Sequence, residues 1–360
     1  LSSLKKAKSS KLTRALANTS HAFPNYPFFK PVIVCKSAVT RRRWMADFLG
    51  FAEGNVFTFP MQKMKKMTFS YRMSGCEQYI SLQIRGETMN EQAITIFCIC
   101  DEIVKSYGLY ENSTCKMTTA EVMTFAIISG LHYRADYRTT RLIVSHLQYF
   151  PNILSHSHLV RRIHAVPEQM WWMIFYVLKM YLRKSQEEYF IVDSFPVKAY
   201  ENHKSFRAKI FRGKEFHGYT ASKKQYFFGI KVHMIVDTNG IPIEFCFTPG
   251  STSDIAGLKM LPCELPKGSF LFADRAYNAY SFEDDIKEMA EFILVPRRKK
   301  NMTRQHPPSR EFILNQTRNR IETVFSAIIS KMPRHIRART ERGFYLKITF
   351  FIIAYLFSIS

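Results

Sequence analysis

Two short stretches place a carboxylate where burial alone would not. In Glu187–Lys198, EEYFIVDSFPVK, Asp193 follows the apolar run Tyr189–Val192, and in Phe270–Asn278, FLFADRAYN, Asp274 follows Phe270–Ala273. Both runs are too short for helices and rich in β-branched and aromatic residues, so they read as buried strands. A carboxylate ending such a strand loses hydration and must be paired, protonated or bound to a cation. Alone, Asp193 also reads as a turn or capping aspartate before Ser194 and Pro196. The recurrence of the pattern at Asp274 makes the two a constellation. A third acid, Glu322, lies on a helix predicted from about Arg310 to Met332, whose apolar stripe is Ile321, Val324, Phe325, Ile328 and Met332. It sits at the edge of that stripe, one turn after Arg318, a position that in isolation reads as a surface ion pair. Three carboxylates brought together repel one another unless cations intervene, and hard oxygen ligands select Mg²⁺ or Mn²⁺. Two such ions suit in-line displacement at a phosphodiester, one activating the attacking oxygen and one stabilising the leaving oxygen.

The elements that would position these acids follow from the pattern between them. Tyr226–Val236 and Ile241–Thr248 form a hairpin across Asp237-Thr-Asn-Gly240, a strong turn signal. Alternation puts Phe228, Ile230, Val232 and Met234 on one face and Lys231 and His233 on the other, where they either face the site or form a solvated polar face. TPGSTSD, Thr248–Asp254, leads through a short helix to the Asp274 strand. A further strand, Phe292–Pro296, runs into Arg297, Arg298, Lys299 and Lys300. Strand, hairpin, strand, strand and helix describe an α/β domain: a mixed sheet with helices packed against it.

The 360-residue chain carries a net charge of +23 with 14% aromatic residues, which points to a polyanionic partner and, between nucleic acid and an anionic membrane, to nucleic acid. The cations are concentrated. After Asp193 come Lys198, His203, Lys204, Arg207, Lys209, Arg212, Lys214, Lys223 and Lys224, a segment expected on a phosphate backbone. Seven cysteines show no disulfide framework, and the Cys98-x-Cys100 pair lacks a second pair at zinc-ligand spacing. A reduced, cytoplasmic and nucleoid-associated location is expected. No stretch reads as a membrane span; Trp171–Leu182 and Thr349–Ser360 read as buried helices.

Residues 1–88 hold 15 Lys/Arg against 4 Asp/Glu and show poor periodicity. They form a basic extension, read as a flexible nucleic-acid arm or a transit-like leader, with the natural start expected at Met89. From Met89 to about residue 185 the pattern is helical. Thr118-x-x-Glu121 is a capping box, a helix is expected from about Tyr137 to Tyr149, Ser155 or Ser157 caps another, and Pro167 opens a long one. Arg138, Arg141, Arg161 and Arg162 near the turns make this either a helix-turn-helix-like DNA-binding domain or a set of solvated basic faces. Residues 186–360 are expected to be the catalytic domain.

VDSFPV, GKEFHGYTASKKQYFFGIKVHMIV, GIPIEFCFTPGSTSD, ADRAYN and RIETVFSAI occur in an order and at a spacing that resemble the DDE transposases of bacterial insertion sequences, most closely the family numbered nine-eighty-two. The resemblance covers about Met89 to the C-terminus. It implies a ribonuclease-H-like catalytic fold, with Asp193, Asp274 and Glu322 as the catalytic acids holding two divalent metals. It implies binding to terminal inverted repeats, hydrolysis at each end, and attack of the freed 3′-hydroxyl on target DNA by a homo-oligomer, a dimer, assembled on double-stranded DNA. Of the tyrosine, arginine, glutamate and lysine signature of many relatives, Arg318 and Glu322 fit. Asn315 stands at the tyrosine position and Ile329 at the lysine position, the nearest lysine being Lys331. The DNA contacts expected are Lys198, Arg207, Lys209, Arg212, Lys214, Lys231, His233, Arg275, Arg297, Arg298, Lys299, Lys300, Arg318 and Lys331. The competing readings are a decayed or co-opted DNA-binding protein and a structure-selective nuclease of the same fold. A chain beginning at Met89 is expected to fold and to cleave DNA; cleavage by the full chain with an insoluble or inert shortened one would overturn that division.

Overall fold

The computed structural model describes residues 89–359 apart from 113, 184–186, 221–223, 264 and 290–291, together with 68–73 and 76–81. Most of the basic extension therefore lies outside the described residues. Its described part is a hairpin of β1 (Thr68–Met73) and β2 (Cys76–Ser81), paired antiparallel. The chain divides into two compact units: Gln186–Ile321 belong to one, and Thr58–Ser185 with Glu322–Ser360 to the other.

The helical unit contains α1 (Met89–Tyr107), α2 (Thr119–His132), α3 (Tyr137–His146), α4 (His156–Ala165), α5 (Glu168–Leu182) and α9 (Glu341–Ile359). The starts follow local chemistry. Thr118 Oγ1 accepts from Glu121 N at 3.2 Å while Glu121 Oε2 accepts from Thr118 N at 2.7 Å, closing the capping box on α2. Ser155 caps α4 and Pro167 precedes α5. Helix α9 is buried on nearly all sides and packs against α2 and α5; its Phe350 ring lies 4.7 Å from Trp171. A Cβ at Gly130 would stand 3.0 Å from the Phe350 carbonyl oxygen, so glycine permits that approach. By length and composition α9 alone among the described helices is apolar enough to cross a membrane, and 72% of it is buried within the fold. This grouping places α9 with the helices of Met89–Leu182, although it lies within the segment 186–360. An all-apolar helix must bury every face, and the helical unit provides that burial for α9.

The other unit is built on a six-stranded sheet. Its strands are β3 (Tyr189–Tyr200), β4 (His217–Thr220), β5 (Gln225–Asp237), β6 (Pro242–Pro249), β7 (Phe270–Ala273) and β8 (Ile293–Pro296). The order is β4-β5-β3-β7-β8, with β6 also on β5; β3, β5 and β6 pair antiparallel, whereas β3, β7 and β8 pair parallel. Helices α6 (Asp254–Met260) and α7 (Tyr280–Met289) belong to this unit. Helix α8 (Pro308–Lys331) begins here, and the division between units falls within it after Ile321. Phe272, Val295 and Leu314 form a core with Tyr189, Phe270, Ile293 and Ile313, which fixes one sheet face against the first half of α8.

Two elements differ from the sequence expectation. Strand β3 continues through Pro196 to Tyr200. Its pairing with β7 stops at Val192↔Ala273, so beyond that point one edge is unpaired and a proline costs no ladder bond there. Strand β4 lies inside the cation-rich segment, where four polar-flanked residues carry too little alternation to signal a strand.

Glu168, in the first turn of α5, has its carboxyl pushed up to about 7 by burial, against a hydrogen bond from Trp172 and the charge of Arg342, which lower it. The folded value exceeds the unfolded one, so the stability from its protonated form is fully present below the unfolded carboxylate range and lost as pH rises through about 7. Glu168→Gln should therefore be more stable than the parent at pH 8, with the difference vanishing towards pH 4, as read by urea denaturation at both pH values.

Candidate active site

Parallel pairing in register aligns the two aspartates. The last β3/β7 pair is Val192↔Ala273, so Asp193 and Asp274 are the next residues on neighbouring strands, about 4.8 Å apart by strand spacing. On β8, Pro296 pairs with Ala273 and Arg297 N donates to Ala273 O at 2.9 Å, which makes Arg297 the third member of the same row. Asp193, Asp274 and Arg297 line one recess with Ile191, Phe272, Leu314 and Ile321, large enough at about 20 Å³ for a water-sized body. Asp193 Oδ1 accepts from Ser194 N at 2.7 Å. Two half-buried carboxylates lie side by side on one face, with a guanidinium next in the row.

The other face of β3 carries a different cluster. Ser194 Oγ donates to Asp254 Oδ1 at 2.7 Å, and Lys231 Nζ reaches Asp254 Oδ1 at 3.4 Å and Thr252 O at 2.9 Å. His233 is fully buried, with Nε2 at 2.8 Å from Thr248 Oγ1, and burial pushes its imidazole down to about 4. A Cβ at Gly257 of α6 would lie 2.2 Å from the His233 ring, so α6 presses directly on this face. Lys231 and His233 were expected as DNA contacts beside the acids. Parity decides otherwise: Ser194 pairs with His233 and Asp193 with Met234, so His233 and Lys231 share the face opposite the aspartates.

Arg298 is a second correction to the expected DNA contacts. Its side chain is 2% exposed, forms a two-point ion pair with Glu283, bonds Asn278 and lies over the Tyr280 ring. One residue beyond Arg297, it points to the opposite side and pins β8 to α7. Lys198, Arg207, Lys209, Arg212, Lys214, Arg275, Lys299 and Lys300 are exposed, as expected of phosphate contacts. Lys331 is half-buried in the helical unit, where burial lowers its ammonium. The side chain of Arg318 lies outside the described residues. Glu322 is exposed and belongs to the helical unit.

Sequence reasoning missed Asp254 and Tyr277. Asp254 begins α6 behind the Ser253 cap, so locally it is an ordinary first-turn acid, and its contacts with Ser194 and Lys231 are long-range. Tyr277, on the turn after Asp274, is fully buried, and its hydroxyl has no hydrogen-bond partner among the described residues. Burial raises its phenol well above the ordinary value, and the charges of Asp193, Asp254 and Asp274 raise it further.

The comparison with known families bears on this arrangement. Residues 184–357 match the transposase DDE domain. No curated protein and no solved structure matches the chain. The matched segment contains the whole six-stranded sheet, both aspartates and Glu322. A transposase DDE domain implies an enzyme that processes DNA, and such domains generally use divalent metals. Among the described residues no group of three or more His, Cys, Asp or Glu side chains is gathered. Asp193 and Asp274 nevertheless fit a hard divalent ion in donor chemistry, since both are carboxylates opening on one recess where β3 and β7 stop pairing.

The Arg298 assignment is checked by substitution. Arg298→Met should cost about 3–5 kcal/mol in urea denaturation, because Glu283 is left buried without its partner, and should leave the salt dependence of duplex binding unchanged. Lys299→Ala and Lys300→Ala should do the reverse, reducing the salt slope by about 0.9 for each phosphate no longer neutralised. An Arg298→Met protein of parental stability with a reduced slope returns Arg298 to the DNA surface.

Proposed function

We propose that the chain is a transposase of the insertion-sequence nine-eighty-two type with a ribonuclease-H-like catalytic fold. It binds the inverted repeats at the ends of its element, cuts one strand at each end and joins the freed 3′-hydroxyl to target DNA. The observation that carries this reading is the in-register pair Asp193, within β3, and Asp274, just past β7, at the point where the parallel pairing of the two strands ends, within the segment that matches the transposase DDE domain. A sheet of four antiparallel strands continued by two parallel ones supports the fold assignment.

Glu322 is proposed as the third acid, and Asp193, Asp274 and Glu322 are the residues that would hold two divalent ions, Mg²⁺ or Mn²⁺. When bound, such ions activate the attacking oxygen and stabilise the leaving oxygen. The protein's own contribution is placement. Register fixes the two aspartates one strand apart, the Ser194 amide orients one of them, and Arg297 presents a fixed cation beside the row where a backbone phosphate would lie. In the first step water attacks the phosphorus and the 3′-oxygen leaves; in the second that 3′-hydroxyl attacks a target phosphodiester, so no covalent enzyme intermediate forms. The exposed Lys198, Arg207, Lys209, Arg212, Lys214, Arg275, Lys299 and Lys300 hold duplex phosphates. The helices from Met89 to residue 185 bind the terminal repeats, and a dimer on DNA brings the two ends together in the nucleoid.

Asp193→Asn, Asp274→Asn and Glu322→Gln each retain shape and remove a ligand charge. Each should lower cleavage of terminal-repeat DNA by orders of magnitude while leaving binding to it intact, because an acid beside a polyanion only repels it. Metal-free melting temperatures of the two aspartate variants should hold or rise as carboxylate repulsion is relieved. Melting that falls sharply makes the aspartates structural; parental cleavage by Glu322→Gln removes Glu322 from the site; cleavage without strand joining makes the chain a nuclease.

A further inference from the structure

One surface of the sheet is left over by both the acid site and the Asp254 cluster. Strand β4 pairs with the start of β5 so that His217 opposes Phe228 and Tyr219 opposes Tyr226. The rings follow the register: His217 and Phe228 lie 4.8 Å apart edge-on, Tyr219 and Tyr226 lie 4.9 Å apart, and Tyr200 of β3 reaches Phe228 at 6.4 Å. Phe228 is buried and forms the floor. The outer rings are open, Tyr219 being 48% and Tyr226 66% exposed, with His217 exposed and Tyr200 half-buried. A single exposed aromatic needs no explanation, but a continuous row across three strands leaves apolar surface in water that folding could have covered.

The chemistry around the row selects its occupant. Lys214 stands just before β4 and Lys224 just before β5; both lysines are exposed. Flat ring faces flanked by cations suit a polyanion that offers its own ring faces. A paired duplex hides those faces in its stack, and an unpaired strand presents them. An apolar peptide would leave the lysines unmatched.

We propose that the Tyr200, His217, Tyr219 and Tyr226 row is a stacking platform for unpaired bases of single-stranded DNA, with Lys214 and Lys224 on its phosphates. This rests on reading the chain as a DNA-processing enzyme and adds that it holds a locally unpaired strand near the cut end. Tyr219 and Tyr226 lie outside the buried core.

The test measures anisotropy of a labelled short oligothymidylate and of a labelled duplex with the full chain and with Tyr219→Leu/Tyr226→Leu. The double variant should lose about tenfold or more in affinity for oligothymidylate, keep duplex affinity and keep the salt slope of both, whereas Tyr219→Phe/Tyr226→Phe should bind like the parent. Equal loss on both DNAs, or no loss on either, overturns the platform. A change of oligomeric state with unchanged oligothymidylate binding also overturns it and gives the row to a second copy. Should the leucine variant fail to fold, photocrosslinking of the parent to bromodeoxyuridine-substituted single strand decides: adducts at Tyr219 or Tyr226 support the proposal and adducts elsewhere sink it. A parent that binds no DNA of either kind at low salt removes the reading beneath it, an outcome distinct from all of these.

Discussion

Two carboxylates one strand apart on the same sheet face repel each other, and the register of β3 on β7 gives them no means of separating. Val192 and Ala273 are locked by parallel pairing, with Phe272, Val295 and Leu314 packed beneath the same face. Backbone bonds and a buried core therefore impose a like-charge contact that the side chains themselves oppose. Such an arrangement persists only because the surrounding structure over-determines it, which is how preorganised charge sites are built. The shortness of β7 matters equally. Because β7 stops at Ala273, Asp274 leaves its strand and Asp193 loses its neighbour on that side of β3, so both acids open on a recess and are not sealed into the sheet.

The sheet separates two kinds of polar group by a single residue of parity. Asp193 and Ser194 are neighbours, yet one faces the recess and the other binds Asp254 on the face covered by α6. Arg297 and Arg298 repeat the division on β8, one lining the recess and the other buried against Glu283. On each strand one polar residue serves the open site and the next ties the strand to a helix. The ties hold the strand ends from behind, so the acids have little freedom to rotate apart under their mutual repulsion.

Much of this was legible because the signals are local. Apolar runs ending in Asp193 and Asp274, the Asp237–Gly240 turn and the Thr118/Glu121 box each depend on residues within a few positions. The misassigned residues are those whose partners are distant. Nothing near Arg298 announces Glu283, and His233 reads as a polar-face residue until α6 is placed over it with Gly257 against its ring. Strand β4 was hidden by its brevity, and the continuation of β3 through Pro196 by a proline that normally argues against a strand. The grouping of α9 with the helical unit was invisible for a related reason: an all-apolar helix shows that it is buried without showing where.

Tyr277 closes the description of the acid site from behind. Its phenol is fully buried beside the charges of Asp193, Asp254 and Asp274, all of which oppose its ionisation. It therefore stays a neutral donor throughout the ordinary pH range, and a buried hydroxyl without a partner carries a desolvation cost of about 1–3 kcal/mol. The apolar area of the buried ring offsets that cost, so the placement is held by packing and not by the hydroxyl.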